Sequence, residues 1–419
     1  MARRLAVRPE EIRRHNLSLL LRHIHQHGEL TRAELTTATG LNRSTIGALV
    51  SDLVTLGLVS EYVPSGRDRA GRPSHVVAPR PDGPYVLAVD VAVERIVTAT
   101  VGLGGVVHQR RQVAIDGAAR RPELVIERIA ADAEWLAAHR PGGCGPVGIG
   151  VSIPGTVRRR DGYVEHAPNL NWRAVPFAQL LTEALRSPGA LGGPGALGGR
   201  PDVQIGNDAD LGAVAEHQRG AATGYDHLVY LNGSVGVGGG IISEGSPLHG
   251  AGGYAGEIGH MTINPDGPPC HCGSTGCIET YIGEHALLRA AGVTGRHGPR
   301  AVDAVFIDAA SGDPVARQAV RTVAWWLGRS LANLVNCFNP QAIVVGGSLA
   351  EVVRLERCTV EAELDRRAMT ASRAGVQLLL PGLGQESALI GAAELAFQAL
   401  LDAPDALPAA VPERLVSPS

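Results

Sequence analysis

Between positions 270 and 277 the chain carries three thiols, Cys270, Cys272 and Cys277, and His260 stands ten residues upstream. Three thiolates and one imidazole form a closed set of four ligands, the kind that holds one structural zinc ion per chain. Gly273 and Gly276 lie between the cysteines, where tight backbone turns are needed for the sulfurs to face one point. Glu257 and Glu279 bracket the set. A metal knot at this place would be a rigid frame that aims carboxylates at a polar ligand. Two other readings of the thiols stand beside it: unconnected buried cysteines, or a disulfide pair. The other cysteines, Cys144, Cys337 and Cys358, are scattered and form no disulfide framework.

The rest of the composition bounds what such a knot could serve. With 419 residues, 44% of them hydrophobic, and a mean hydropathy of +0.05, the chain can bury two or three domain cores. No run of eighteen apolar residues is present, so no membrane span is expected. The first ten residues carry arginines with no apolar stretch behind them, unlike a secretory signal. A cytoplasmic location follows as the expectation, and disulfides are rare there. All 38 basic residues are arginine. They are unevenly spread. Residues 1–80 hold twelve arginines against seven carboxylates, a formal +5 within a chain of −3, which leaves −8 for the remainder. A basic head on an acidic body points to nucleic acid as the partner of the head.

The elements of the head agree. Leu17, Leu20, Leu21 and Ile24 recur at helical spacing, which predicts an amphipathic helix over 11–27 ended by Gly28. Thr31 and Glu34 form a capping box for a second, short helix. Gly40-Leu41 makes the turn, and Asn42 caps a third helix whose buried stripe is Ile46, Leu49, Val50, Leu53 and Leu56. This is the helix-turn-helix plan. Arg43, Ser44 and Thr45 open the third helix, whose start would enter the major groove of DNA. Residues 58–63 and 75–78 read as the two strands of a wing. The loop between them offers Arg67, Arg69 and Arg72 to a narrow minor groove.

In the body, strands are expected at 85–91, 95–102, 106–114 and 145–153, with a helix over 122–138. Further strands are expected near 203–208, 226–232, 237–243 and 342–345, with a long helix over 314–338. Alternating strands and helices give an α/β class. Residues 188–199 are one hexapeptide, Pro-Gly-Ala-Leu-Gly-Gly, written twice, which reads as a surface insertion. Residues from 402 onward are rich in Pro and Ala and read as a loose tail.

Taken together these motifs resemble the ROK family of repressors, open reading frames and sugar kinases. The resemblance rests on the stretch from Glu257 to Glu279, on Gly150-Val-Ser-Ile-Pro-Gly155, on Ala167-Pro-Asn-Leu-Asn-Trp172 and on Asn207-Asp208. Gly236-Val-Gly-Gly-Gly240 and Val344-Val-Gly-Gly347 add to it. The head is similar to that of the family's repressors. The resemblance implies a winged helix-turn-helix in residues 1–80 and a two-lobed body of the actin/hexokinase, ribonuclease-H-like kind. The lobes would be residues 84–205, with the insertion at 187–201, and residues 206–401. The sugar site implied by the family falls on Asn207, Asp208, Glu257, His260 and Glu279 in this chain.

Asp208 would be the base in a kinase. The family's kinases, however, open with Asp-X-Gly-Gly-Thr, whose glycines let backbone amides approach phosphates. The matching stretch here is Asp90-Val-Ala-Val-Glu94. Both glycines are absent, and a carboxylate stands where triphosphate charge would lie. Asn232-Gly-Ser-Val235 likewise replaces a Gly-Thr-Gly phosphate turn. The expectation is therefore a regulator that is not an enzyme. It would be a sugar-modulated repressor that binds operator DNA as a homodimer or homotetramer. A DNA-binding, ATP-dependent sugar kinase is the alternative. A third reading is a regulator with a vestigial sugar site governed by a protein partner.

Overall fold

A computed structural model describes residues 8–63, 75–139, 145–186, 202–295 and 297–406. The head begins with helix Pro9–His27, two residues earlier than its apolar periodicity predicts, because Pro9 takes the first helical position and Glu11 bonds back to the Arg8 amide. The capping box is formed as the sequence predicts. The Thr31 hydroxyl accepts from the Glu34 amide at 3.1 Å, and the Glu34 carboxylate accepts from the Thr31 amide at 2.7 Å. Asn42 caps helix Arg43–Thr55 by accepting from the Thr45 amide at 2.9 Å. Strands Val59–Tyr62 and Val76–Pro79 pair antiparallel, and Leu30–Thr31 joins the second of them. The wing arginines Arg67, Arg69 and Arg72 lie outside the described residues.

The body contains one topology twice. In the first lobe, the five-stranded sheet runs Val203–Asn207, Ile149–Ile153, Tyr85–Val91, Arg95–Gly102, Val107–Ala114. Its last three strands form an antiparallel meander, and its first two add in parallel. The second lobe repeats this with Leu228–Gly233, Val237–Ser243 and Ser246–Pro247 as the meander and Ala342–Gly347 and Gln377–Leu379 as the parallel additions. Numbered within each lobe by chain order, both sheets read 3-2-1-4-5. The central strands are buried on both faces, which explains their unbroken Val/Ile/Ala runs.

Two elements depart from the division expected from chain order. Helix Ser387–Asp402 follows the second lobe in sequence but packs on the first-lobe strands Tyr85–Val91, Ile149–Ile153 and Val203–Asn207. Gly150 permits this: a Cβ there would lie 1.9 Å from the Ala392 carbonyl oxygen. Nor is the beginning of the tail loose. Pro404 is buried, Arg14 pairs with Asp405 and Arg22 with Asp402, and the Ser18 hydroxyl donates to the Leu401 carbonyl at 2.6 Å. Residues 407–419 lie outside the described residues, as do 187–201.

The last helix thereby joins head and body. Leu17, Leu20 and Ile24 of the head, Val86 and Ala88 of the first sheet, and Leu389 and Phe397 of the last helix belong to one apolar core. The head is thus anchored by buried apolar surface and does not hang on a linker.

Candidate functional site

The helix Asp208–Arg219 starts at the floor of the cleft between the lobes. Asn207 caps it: its side-chain oxygen accepts from the amides of Ala209 at 2.8 Å and Asp210 at 3.1 Å, and its amide donates to the Gly155 carbonyl at 2.9 Å. Most of the polar capacity expected to meet a sugar is therefore spent on backbone. A small pocket, open at its mouth, lies in front of this cap. Gly155, Thr156, Asn207, Asp210, Tyr254 and Glu257 line it. Gly238 and Gly239 form its back wall. A Cβ at Gly238 would lie 2.8 Å from the Ala209 Cβ, so the strand can approach the helix only without side chains.

The electrostatics of the cleft are acidic. Burial, with Asp90 nearby, pushes the Asp208 carboxyl up to about 7. Burial pushes Asp210 up to about 7 as well, with Glu257 and Asp208 adding to the effect and Arg159 opposing it. An unfolded aspartate releases its proton near pH ~4, so between about pH 4 and 7 the folded chain holds protons that the unfolded chain has lost. Stability therefore falls as pH rises through this window. Asp208→Asn should raise stability at pH 8 by about 1–2 kcal/mol, less than the full shift because cleft water screens the carboxylate, and should change little at pH 4. Thermal melts of both proteins at the two pH values check this.

The cysteine cluster lies beside the pocket. The ligand atoms of His260, Cys270, Cys272 and Cys277 all fall within 4.8 Å of one another. Sγ of Cys272 and Cys277 are 3.7 Å apart, and Cys270 Sγ is 3.7 Å from His260 Nδ1. Tetrahedral zinc with bonds of about 2.3 Å to sulfur puts its ligand atoms about 3.5–3.8 Å apart, so these residues fit a metal ion. The sulfur separation is not that of a disulfide, and the three thiols are free. Burial pushes the Cys270 thiol up to about 12, so that sulfur stays protonated unless a cation replaces the proton. The turn glycines are required by geometry. Gly276 has φ +64°, and a Cβ there would lie 1.6 Å from the Asn264 carbonyl oxygen.

The two flanking carboxylates differ in their environments. Glu257 is about half exposed, and faces the cleft with Thr156 Oγ1 at 3.5 Å. Glu279 is engaged elsewhere. It accepts from the Val237 amide at 2.9 Å and pairs with His271 Nδ1 at 3.0 Å, which ties the knot to the neighbouring strand. His271, Asp210, Thr156 and Tyr254 were not singled out from sequence. The i, i+2 spacing of Asp208 and Asp210 in the first turn of one helix is the signal that could have revealed Asp210.

In the stretch Asp90–Glu94, Asp90 is buried and accepts from the Ser152 hydroxyl at 3.1 Å. Glu94 reaches across toward the second lobe, so that a Cβ on Gly298 would lie 2.4 Å from Glu94 Oε1. The Gly346-Gly347 pair has a packing role: Gly347 has φ +60°, and a Cβ there would lie 1.8 Å from the Gly233 carbonyl oxygen.

On the head, Arg43 and Ser44 are exposed at the start of their helix and Thr45 is half-buried. The Ser44 hydroxyl donates to Asn42 Oδ1 at 2.7 Å. Arg13 and Arg32 are paired with Asp52 and Glu61, whereas Arg43 makes no ion pair among the described residues.

Comparison with known proteins agrees with both parts. The ROK family model matches residues 86–399, and a MarR family model matches residues 18–71. The xylose repressor of Bacillus subtilis is 28% identical over 393 residues, covering 93% of this chain and 97% of the repressor. A glucokinase of Halalkalibacterium halodurans is 32% identical over 277 residues, covering 63% of this chain and 80% of the kinase. Among solved structures, a ROK family transcriptional regulator, a homologue of the E. coli MLC protein, superimposes with a TM-score of 0.74 at 24% identity, covering 93% of this chain and 97% of that one. A ROK family glucokinase from Streptomyces griseus, in complex with glucose and AMPPNP, gives 0.61 at 28% identity, covering 75% and 99%. The chain belongs to the ROK family.

Proposed function

We propose that this protein is a cytoplasmic, sugar-responsive transcription repressor that binds operator DNA through its head and a sugar through the cleft, with one structural zinc per chain. The observation that carries this reading is the end-to-end similarity to xylose repressors, which spans the winged head as well as the body. The glucokinase similarity covers a smaller share of the chain. The stretch Asp90-Val-Ala-Val-Glu94, which lacks the two glycines of the kinase loop, supports a regulator over a kinase.

In this reading Glu257, Asp208 and Asp210 accept hydroxyl hydrogens of the sugar, and carboxylates suit this role because charge-assisted bonds fix hydroxyl stereochemistry. Asn207 adds its remaining N–H. His260, Cys270, Cys272 and Cys277 hold the zinc, which fixes the turn next to Glu257. Glu279 and His260 act mainly as frame, although both belong to the family's sugar set. A homodimer or homotetramer presents two heads to two half-sites. The sugar acts by binding one arrangement of lobes and heads better than the other, because equal affinity for both shifts nothing.

Calorimetric titration with D-xylose, D-glucose and N-acetylglucosamine, each repeated with ATP and magnesium under a coupled ADP assay, tests the reading. Binding that is lost in Glu257→Gln, with no ADP release above background, is expected. Sustained turnover that disappears in Asp208→Asn would make the protein a kinase.

The head carries a further expectation. Arg43 is the long, exposed side chain at the start of the recognition helix and makes no ion pair among the described residues, so Arg43→Ala should relax preference at one operator base pair by about 1–3 kcal/mol. The wing arginines Arg67, Arg69 and Arg72 supply phosphate contacts in the same reading, so their alanine variants should weaken binding to all sequences and flatten its salt dependence. Competition binding against operator variants at several salt concentrations separates the two effects.

A further inference from the structure

The helix Asp208–Arg219 touches the sugar cleft at one end and the DNA-binding head at the other. Twelve residues span about 18 Å. At its start, Asn207 and Asp210 line the cleft, with Asp208 between them. At its end, the Arg219 guanidinium donates to the Gly104 carbonyl at 2.9 Å, the His25 carbonyl at 2.9 Å and the Glu394 carboxylate, and its Nη2 lies 2.7 Å from His25 Nε2. His25 Nε2 meets the other Glu394 oxygen at 2.9 Å, and His25 Nδ1 accepts from the Gly104 amide at 3.1 Å. The side chains of His25, Glu394 and Arg219 are 3%, 1% and 11% exposed, so water does not share these bonds.

These partners come from different bodies. The helix packs on the second-lobe strands Leu228–Gly233 and Val237–Ser243 on one side and on the last helix, Ser387–Asp402, on the other, where Gly391 lets it approach Leu211 closely. His25 belongs to the head, Gly104 to a first-lobe hairpin, and Glu394 to the last helix, which packs on the first lobe. Arg219 is therefore a point where an element packed between the two lobes grips the head directly. A second lock lies one turn earlier. Glu216 is fully buried and accepts from the amides of Ala221, Gly382 and Leu383 and from the Ser387 hydroxyl.

We propose that the Asp208–Arg219 helix carries the state of the sugar cleft to the head, with Arg219, His25 and Glu394 as the positioning residues that pass it on. The inference rests on the sugar-responsive reading above and names its route. A helix is stiff along its axis, so a displacement of Asp208 when the cleft closes on a sugar reaches Arg219 nearly undiminished. There it meets a buried cluster whose charges are mutually satisfied. Such a cluster does not stretch gradually, because a half-broken buried ion pair is far costlier than either a complete one or one re-formed elsewhere. The head is thus held in one of two placements.

The test uses full-length protein. Two variants are compared with wild type: Arg219→Lys, which keeps the charge beside Glu394 but loses the planar fork, and Arg219→Met/Glu394→Gln, which removes both charges together. The DNA is a duplex selected by the wild-type protein from a random library. The sugar is whichever of D-xylose, D-glucose and N-acetylglucosamine binds wild type by calorimetry. For wild type, saturating sugar should change DNA affinity by about 5-fold or more, and DNA should change sugar affinity by the same factor. In the variants, sugar affinity and sugar-free DNA affinity should each stay within about threefold of wild type, while the coupling factor collapses toward one. A purely structural role would not move the coupling factor on its own. A folded variant that retains the wild-type factor overturns the proposal. If the double variant does not fold, Arg219→Lys decides. Absence of coupling in wild type contradicts the sugar-responsive reading itself, and this route with it, so the two failures are distinguishable.

Discussion

Cys272→Ser protein should be purified nearly free of zinc and should unfold with a loss of about 4 kcal/mol or more, the range reached by loss of a bound metal. Cys272 is exposed, and an exposed Cys→Ser change with no metal at stake costs no more than about 0.5 kcal/mol. The size of the effect therefore separates a metal ligand from a surface thiol. Chelator-treated wild type should melt like the variant, and adding zinc should restore wild type alone. Elemental analysis and denaturant titration read both quantities. Equal melting of untreated wild type, chelated wild type and Cys272→Ser would mean that the thiols hold no structural ion.

The second large effect is expected at the junction of head and body. Arg219→Met leaves the buried Glu394 with His25 as its remaining partner and should cost about 3 kcal/mol, because a buried charge that loses a partner is penalised beyond the worth of the pair. Adding Glu394→Gln should recover most of that loss. The acid limb tests the cause. Burial pushes the Glu394 carboxyl up, but His25 and Arg219 together pull it down to about 2. A depressed carboxylate stabilises the fold above its unfolded pKa of about 4.5 and loses that contribution as pH falls toward 2. In Arg219→Met the loss should begin at a higher pH than in wild type. Urea titrations between pH 3 and 7 would show this, and identical acid limbs would contradict it.

What the sequence revealed and what it hid have physical causes. Caps are local: Thr31 with Glu34, and Asn42, satisfy amides three residues away, so their residue types announce the helix starts. Strand runs such as 85–91 and 95–102 are visible because two-sided burial demands mostly apolar and β-branched residues, here interrupted by Asp90, Thr98 and Thr100. The His260, Cys270, Cys272 and Cys277 cluster was legible because its residues and their turn glycines lie within twenty positions. The return of Ser387–Asp402 to the first lobe was not legible. It depends on Gly150 and Ala392 meeting across 242 positions, and no local pattern records that. The docking of residues 402–406 was missed for the same reason: Pro and Ala suggested looseness, whereas Asp402 and Asp405 find arginines on the head.

Within the site, the sequence showed residue types but not how the fold allocates them. Asn207 and Glu279 have the groups a sugar needs, yet the fold commits them chiefly to backbone amides, a carbonyl and His271. Asp210 and Thr156, unremarkable in sequence, line the pocket. The family resemblance supplied the set of candidates, and only geometry distinguishes those that face the cleft from those that hold it together.

The central claim is that one chain reads a sugar and reports it to DNA. Fluorescence anisotropy of a selected operator duplex, titrated with wild-type protein at zero and at saturating sugar in fixed salt, addresses it most directly. The account predicts a shift of the DNA dissociation constant by about 5-fold or more, with the sugar recovered unphosphorylated when ATP and magnesium are present. Superimposable DNA titrations with a sugar demonstrably bound, or recovery of the sugar as its phosphate, would contradict it.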